Sequence, residues 1–197
     1  MSTAAKGTAF EDRVHAALAK ELANGRLGLN PSTATLHKQK GYYSRDRESH
    51  IVLDVSIEVW LPSAPNWSML WACECKDYSK SIPVDDIEEF KAKLDQISGA
   101  NRKGVIATTS SLQSSALKYA TAQGIGVVRL LPSNQVEHVL YQMSAGSYPD
   151  RLTNQMVLNA LLVQHFKGRN NAFFGAVGNR IHDSWGSVLR EDLRLST

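Results

Sequence analysis

Between residues 51 and 77 two bulky runs, 51-IVLDVSIEVWL-61 and 69-MLWACECKD-77, flank the turn Pro62-Ser63-Ala64-Pro65-Asn66. Apolar alternation over such lengths marks a β-strand, and a turn this short joins consecutive strands as an antiparallel hairpin. In the first strand Ile51, Leu53, Val55, Ile57 and Val59 are expected on one apolar face, and Val52, Asp54, Ser56 and Glu58 on the other. A hairpin of this kind needs a sheet to belong to, and the flanking segments supply one.

Upstream, Phe10, Val14, Ala17, Leu18 and Leu22 recur at helical spacing over 7–23, with Thr8 as a cap and Gly25 beyond the end. Residues 33–40 alternate like a strand, and 41–50 read as a polar connection. Downstream, 84–99 read as an acid-headed helix, 104–108 as a short buried strand, 112–124 as a helix started by Ser110 or Ser111, and 125–131 as another buried strand. An antiparallel meander followed by strand–helix–strand crossovers predicts an α/β fold with a mixed central sheet and helices on both faces. Residues 1–131 are expected to form the core domain. Residues 132–197 read as a mostly helical C-terminal extension, with helices over 134–143 and 150–166, packing on the core or mediating dimerisation; the tail beyond 166 has no clear periodicity.

A chain of 197 residues with 43% apolar residues can bury a real core. The net charge of +3 permits a nucleic-acid partner without demanding one. The two cysteines, Cys73 and Cys75, lie on one side of one strand, a poor geometry for bridging, so a disulfide framework is excluded and they read as small buried hydrophobes. They also lack the spacing of a zinc set. No apolar run is long enough to span a bilayer and the N-terminus lacks a signal-peptide core, so a soluble, cytoplasmic protein without a membrane partner is expected.

The chemistry resides in the hairpin. Glu74 and Lys76 share a strand face. If the hairpin is symmetric about Ala64, Asp54 stands directly opposite Glu74, with Cβ atoms roughly 5 Å apart. Two facing carboxylates repel, and one pKa should rise unless a cation lies between them. A Mg²⁺ ion removes that conflict, because hard cations favour oxygen ligands. Lys76 beside it could hold an attacking water or stabilise charge building on a phosphate.

With these residues in place the chain resembles the PD-(D/E)xK, or restriction-endonuclease-like, superfamily, in its Mrr-type restriction endonuclease branch, with related junction resolvases nearby. Three stretches carry the resemblance: GTAFEDRV, IVLDV with ECK, and GVIATTSSLQSSALKYATAQGIGVVRLL, together covering roughly 7–131. Leu53 stands where the family's nominal proline would be, and Glu74 where many Mrr-type members carry Gln. The resemblance implies an αβα sandwich and a Mg²⁺-dependent DNA endonuclease of restriction, defence or repair type, with Mn²⁺ as a substitute ion. It implies Asp54 and Glu74 as metal ligands, Lys76 as the residue that positions or activates water, and Glu11 as a further carboxylate. Glu11 has a second reading, a solvent-side acid in the first helical turn.

Glu58 reads as an exposed strand acid, with a second-ligand role as the alternative. Tyr78 reads as a packing residue or one lining the site. Lys38, Lys40, Arg45, Arg47, Lys80, Arg102 and Lys103 are candidate phosphate contacts. Phe173, Phe174 and Trp185 read as packing or as a dimer or recognition surface. Two alternatives stay open: a junction-resolvase-like enzyme with the same chemistry and a branched substrate, and a non-catalytic nucleic-acid-binding module of the same fold. A homodimer cutting both strands is one arrangement such a module can adopt.

Overall fold

The computed structural model describes residues 3–97, 99, 101–137, 152–169 and 171–193. Helix α1 (Thr3–Ala23) leads into β1 (Ala34–Ser44), β2 (Ser49–Val59) and β3 (Met69–Lys76). Then come α2 (Val84–Gln96), β4 (Arg102–Thr108), α3 (Ser114–Ala122) and β5 (Gly126–Leu130). A 3₁₀ turn (Ser133–Gln135) and β6 (Val136–Glu137) precede α4 (Asn154–Leu162), β7 (Gly168–Arg169), β8 (Phe173–Val177), β9 (Arg180–His182) and α5 (Trp185–Leu193). Seven strands form one mixed sheet in the order β1-β2-β3-β4-β5-β8-β9, and β6 and β7 pair separately. The β1–β2–β3 meander is antiparallel, and β3–β4–β5 run parallel through the two helical crossovers.

Helices cover both faces. Phe10, Val14 and Leu18 of α1 and Val188 and Leu189 of α5 pack with Trp71, Cys73 and Val105. Ile87 and Phe90 of α2, Ala116 and Ala120 of α3, and Val157 and Ala160 of α4 pack with Leu70, Ala72 and Ile106 on the opposite face. The result is the expected αβα sandwich. The approach of α2 to the sheet depends on Gly104, where an added Cβ would stand 2.5 Å from Leu94 Cδ1. Among the described residues no helix is long and apolar enough to cross a membrane.

Three expectations meet a different arrangement. First, β1 runs on through Gly41–Ser44, because Tyr42 is buried in the α2-side core. Second, the odd-numbered residues of β2 do not share one face. Ile51 and Leu53 enter the α2-side core, whereas Val55 and Ile57 enter the α1-side core. A regular strand keeps such residues together, so its faces exchange at Asp54. The cause lies across the ladder: Gln39, opposite Asp54, has φ 53°, left-handed backbone in the middle of a strand, and the paired register skips from Lys38–Val55 to Lys40–Leu53.

Third, the region after 131 is not mostly helical where it is described. β8 and β9 extend the main sheet, joining it at the edge of β5, and α5 seals the α1 face. Phe174 is fully buried, and Trp185 sits edge-on to Trp71 and Phe173, so these aromatics pack within the fold. Residues 134–135 form part of the 3₁₀ turn, and 138–143 of the helix expected there lie outside the described residues. The helix expected over 150–166 is α4, shorter at both ends, with Thr153 Oγ1 accepting the Met156 N–H as its cap.

Candidate active site

The β2–β3 hairpin has the expected register from Val55–Cys73 to Val59–Met69, and its ladder stops there. One step further, where the faces of β2 exchange, Asp54 turns its carboxylate onto the neighbouring strand: Oδ2 accepts the Cys75 N–H at 2.8 Å. Glu74, 5% exposed, shares its strand face with Leu70 and Ala72 and so points toward α2. There Oε1 meets Lys93 Nζ at 2.9 Å and Lys76 Nζ at 3.3 Å. Its other oxygen, Oε2, is buried without a hydrogen-bond partner. Lys76 also reaches Asp86 Oδ1 of α2 at 3.4 Å and lies over the Tyr78 ring, 5.9 Å from its centroid. Tyr78 in turn donates its hydroxyl to Asp86 at 3.2 Å.

The charges respond to this crowding. Burial, then the negative charge of Glu74, pushes the Asp54 carboxyl up to about 6, against the opposing pull of the Cys75 N–H. Burial works against the Lys76 ammonium, but Glu74 and Asp86 outweigh it and raise its pKa. Lys93 is raised in the same way, burial opposing and Glu74 then Glu89 prevailing. Both lysines are therefore held as cations at neutral pH.

Glu11 reaches the edge of this group through one bridge. Gln39 Nε2 donates to Glu11 Oε2 at 2.6 Å and approaches Asp54 Oδ1 at 3.5 Å. All four expected residues, Asp54, Glu74, Lys76 and Glu11, thus lie in one neighbourhood. Glu58 does not join them, nor is it exposed: it is 2% exposed, pairs with Lys40 at 2.6 Å and is hydrogen-bonded to His37 at 3.1 Å. Those partners keep it ionised despite burial. Asp77 accepts from Thr109 Oγ1 at 2.6 Å.

Sequence reasoning missed three members. Asp86 and Lys93 come from α2, where they read as ordinary solvated charges; the available signal is that Lys93 follows Phe90 by three residues and borders the buried stripe. Gln39 carries no sequence signal, because its role follows from its backbone conformation.

Of the candidate phosphate contacts, Lys38 is engaged by Asp12, Lys40 by Glu58 and Arg47 by Gln96, and Arg102 donates to the carbonyl of Ile97. Lys80 stays exposed on the rim of a cleft of ≈ 1070 Å³ that also takes in Arg13, Tyr78, Asn134, Gln135 and His165. Tyr78 joins that cleft to the acid–lysine group.

Among the described residues no three of His, Cys, Asp and Glu gather as a ligand set. Two carboxylates with a buried, unpartnered oxygen and an unfavourable proton balance nonetheless fit a hard cation, since Mg²⁺ is held by one or two carboxylates and completes its shell with water and phosphate.

No curated protein matches this chain. A crystal structure described as a protein of unknown function, AF1548, is 15% identical, with 55% of this chain and 55% of that one covered and a TM-score of 0.40. The family described as restriction endonuclease, in its Mrr catalytic form, matches residues 29–140, which include β1 to β5 with Asp54, Glu74 and Lys76 but not Glu11. More than half of the chain lies within that match, and the chain belongs to the Mrr-type restriction endonuclease family.

Proposed function

We propose that this protein is a Mg²⁺-dependent endonuclease that hydrolyses DNA phosphodiester bonds, with Mn²⁺ able to replace Mg²⁺. The observation that carries this reading is the buried, partnerless Glu74 Oε2 in the same group as Asp54, whose carboxyl is pushed up by burial and then by Glu74's charge. Asp54 and Glu74 would hold the ion, which when bound lowers the pKa of its water and withdraws charge from a phosphoryl oxygen.

The remaining roles belong to the chain's own side chains. Lys76 is held as a cation by Glu74 and Asp86, so it is suited to donating a hydrogen bond to a phosphate oxygen or an attacking water, not to abstracting a proton. Arg13 and Lys80, on the cleft beside Tyr78, are placed to bind backbone phosphates, which supplies affinity without sequence choice. Glu11, through Gln39, lies at the edge of the site as a further carboxylate. Cutting both strands of a duplex calls for two such sites, which a homodimer would supply.

The test is cleavage of supercoiled plasmid with Mg²⁺, with Mn²⁺ and with chelator, alongside methylated DNA and a four-way junction. Nicked or linear product from the wild type in either metal is expected, with none in chelator and none from Asp54→Ala, Glu74→Ala or Lys76→Ala. Preferential cutting of the junction would assign a structure-selective enzyme. Undiminished cleavage by those three variants would remove the site as drawn.

A further inference from the structure

Each of the two carboxylates has one oxygen tied to the protein and one left over. Asp54 Oδ2 accepts the Cys75 N–H at 2.8 Å, while among the described residues Oδ1 has only the long approach of Gln39 at 3.5 Å. Glu74 Oε1 carries the ammonium of Lys93 at 2.9 Å, while Oε2 is buried and free. An acid whose second oxygen is held by an ammonium cannot chelate an ion with both.

That restriction separates ions by size. Ca²⁺ takes about six to eight oxygens in flexible geometry and accepts bidentate carboxylates, whereas Mg²⁺ requires near-octahedral geometry and keeps several waters. We propose that Lys93 sets the metal selectivity of this site: by holding Glu74 Oε1 it leaves Glu74 a one-oxygen ligand, which favours Mg²⁺ or Mn²⁺ over Ca²⁺. The inference rests on the reading of Asp54 and Glu74 as metal ligands.

Lys93 carries this role better than Lys76. The Lys76 contact to Glu74 is longer, at 3.3 Å, and its ammonium is shared with Asp86 at 3.4 Å. Lys93 arrives from α2, whose neighbouring Phe90 and Leu94 are buried in the core, and its second partner, Glu89 at 3.2 Å, is 59% exposed and so a weak competitor. Lys93 is a positioning residue, acting on the metal through Glu74.

The experiment is isothermal titration calorimetry of the full chain with Mg²⁺, Mn²⁺ and Ca²⁺ in the absence of DNA, with circular dichroism to verify folding. Lys93→Met leaves only the longer, shared Lys76 contact on Oε1, and the affinity for Ca²⁺ relative to Mg²⁺ should rise about tenfold. Lys93→Gln removes the charge but keeps an N–H on Oε1; both ions should bind more tightly and their ratio should stay near the wild-type value. Lys93→Arg should also keep the ratio. Equal tightening of both ions by Lys93→Met, or no change, would overturn the proposal. If Lys93→Met does not fold, Lys93→Gln decides, and a shifted ratio in that variant sinks the idea. Asp54→Ala separates this from the parent reading: loss of divalent binding supports the metal site, and retained binding removes it whatever the Lys93 variants do.

Discussion

Two buried polar clusters flank the same sheet and are finished in opposite ways. Around Arg129, on β5, every donor has a destination. Nε meets Thr109 O at 3.2 Å, Nη1 meets Ala160 O at 2.6 Å and Val163 O at 2.8 Å, and Nη2 meets Gln164 O at 2.9 Å and Gln135 Oε1 at 3.2 Å. Among the described residues no acid pairs with this cation; it is fully buried, and burial lowers its pKa to about 10, still charged at neutral pH. It closes the carbonyl end of α4 and ties that helix to the loop after β4. The Asp54–Glu74 cluster has the reverse character: ample counter-charge from Lys76 and Lys93, yet one acid oxygen without a partner and another acid pushed toward its protonated form. A satisfied cluster stabilises the fold, whereas an unsatisfied one persists only where the surroundings enforce it, which is the character the proposed metal site calls for.

The sharpest way to break this contrast is activity. Lys76→Ala or Asp54→Ala should lower Mg²⁺-dependent plasmid cleavage on the order of 10³-fold with the fold intact, measured as initial nicking rates. Arg129→Met should do the opposite. Stripping the donors from buried carbonyls should cost about 3–5 kcal/mol in urea unfolding, while the surviving folded fraction cuts at the wild-type rate.

Smaller still is the pH effect of Asp54. Its folded pKa of about 6 lies above the ordinary carboxylate value of 3.8, so the folded state retains the proton longer than the unfolded chain does. Stability is therefore lost as pH rises from about 4 to 6, and in chelator Asp54→Asn should be more stable than wild type by up to about 3 kcal/mol at pH 8, with no gain near pH 4. Denaturant midpoints at the two pH values check this. The smallest effect is expected at the surface pair Arg180–Glu191, where Arg180 is 74% exposed. Arg180→Ala should change stability by less than about 0.5 kcal/mol and leave cleavage untouched, which urea melts and the same nicking assay would read.

The regular part of the fold was legible wherever local periodicity and burial coincide. The register of the hairpin follows from the turn and from bulky alternation, and the crossovers through α2 and α3 follow from their amphipathic stripes and flanking turns. The C-terminal strands were not legible, because β8 and β9 are short and Gly175 and Gly178 interrupt any alternation; the strand character of β8 comes from pairing with β5, and that of β9 from pairing with β8. Within the site, Asp54, Glu74 and Lys76 could be read from one hairpin, but Lys93 and Asp86 could not, since a helical charge looks the same whether it meets solvent or a buried acid.

By itself the sequence determined the αβα order of elements and the placing of two acids and an amine at one end of a hairpin, because strand parity and turn length are local properties of the chain. Only the tertiary structure decided which oxygens of those acids are spoken for. Gln39's left-handed backbone exchanges the faces of β2 at Asp54, and α2 docks through Gly104 to bring Lys93 onto Glu74. Both depend on packing between segments far apart in the chain, where no local pattern carries the information.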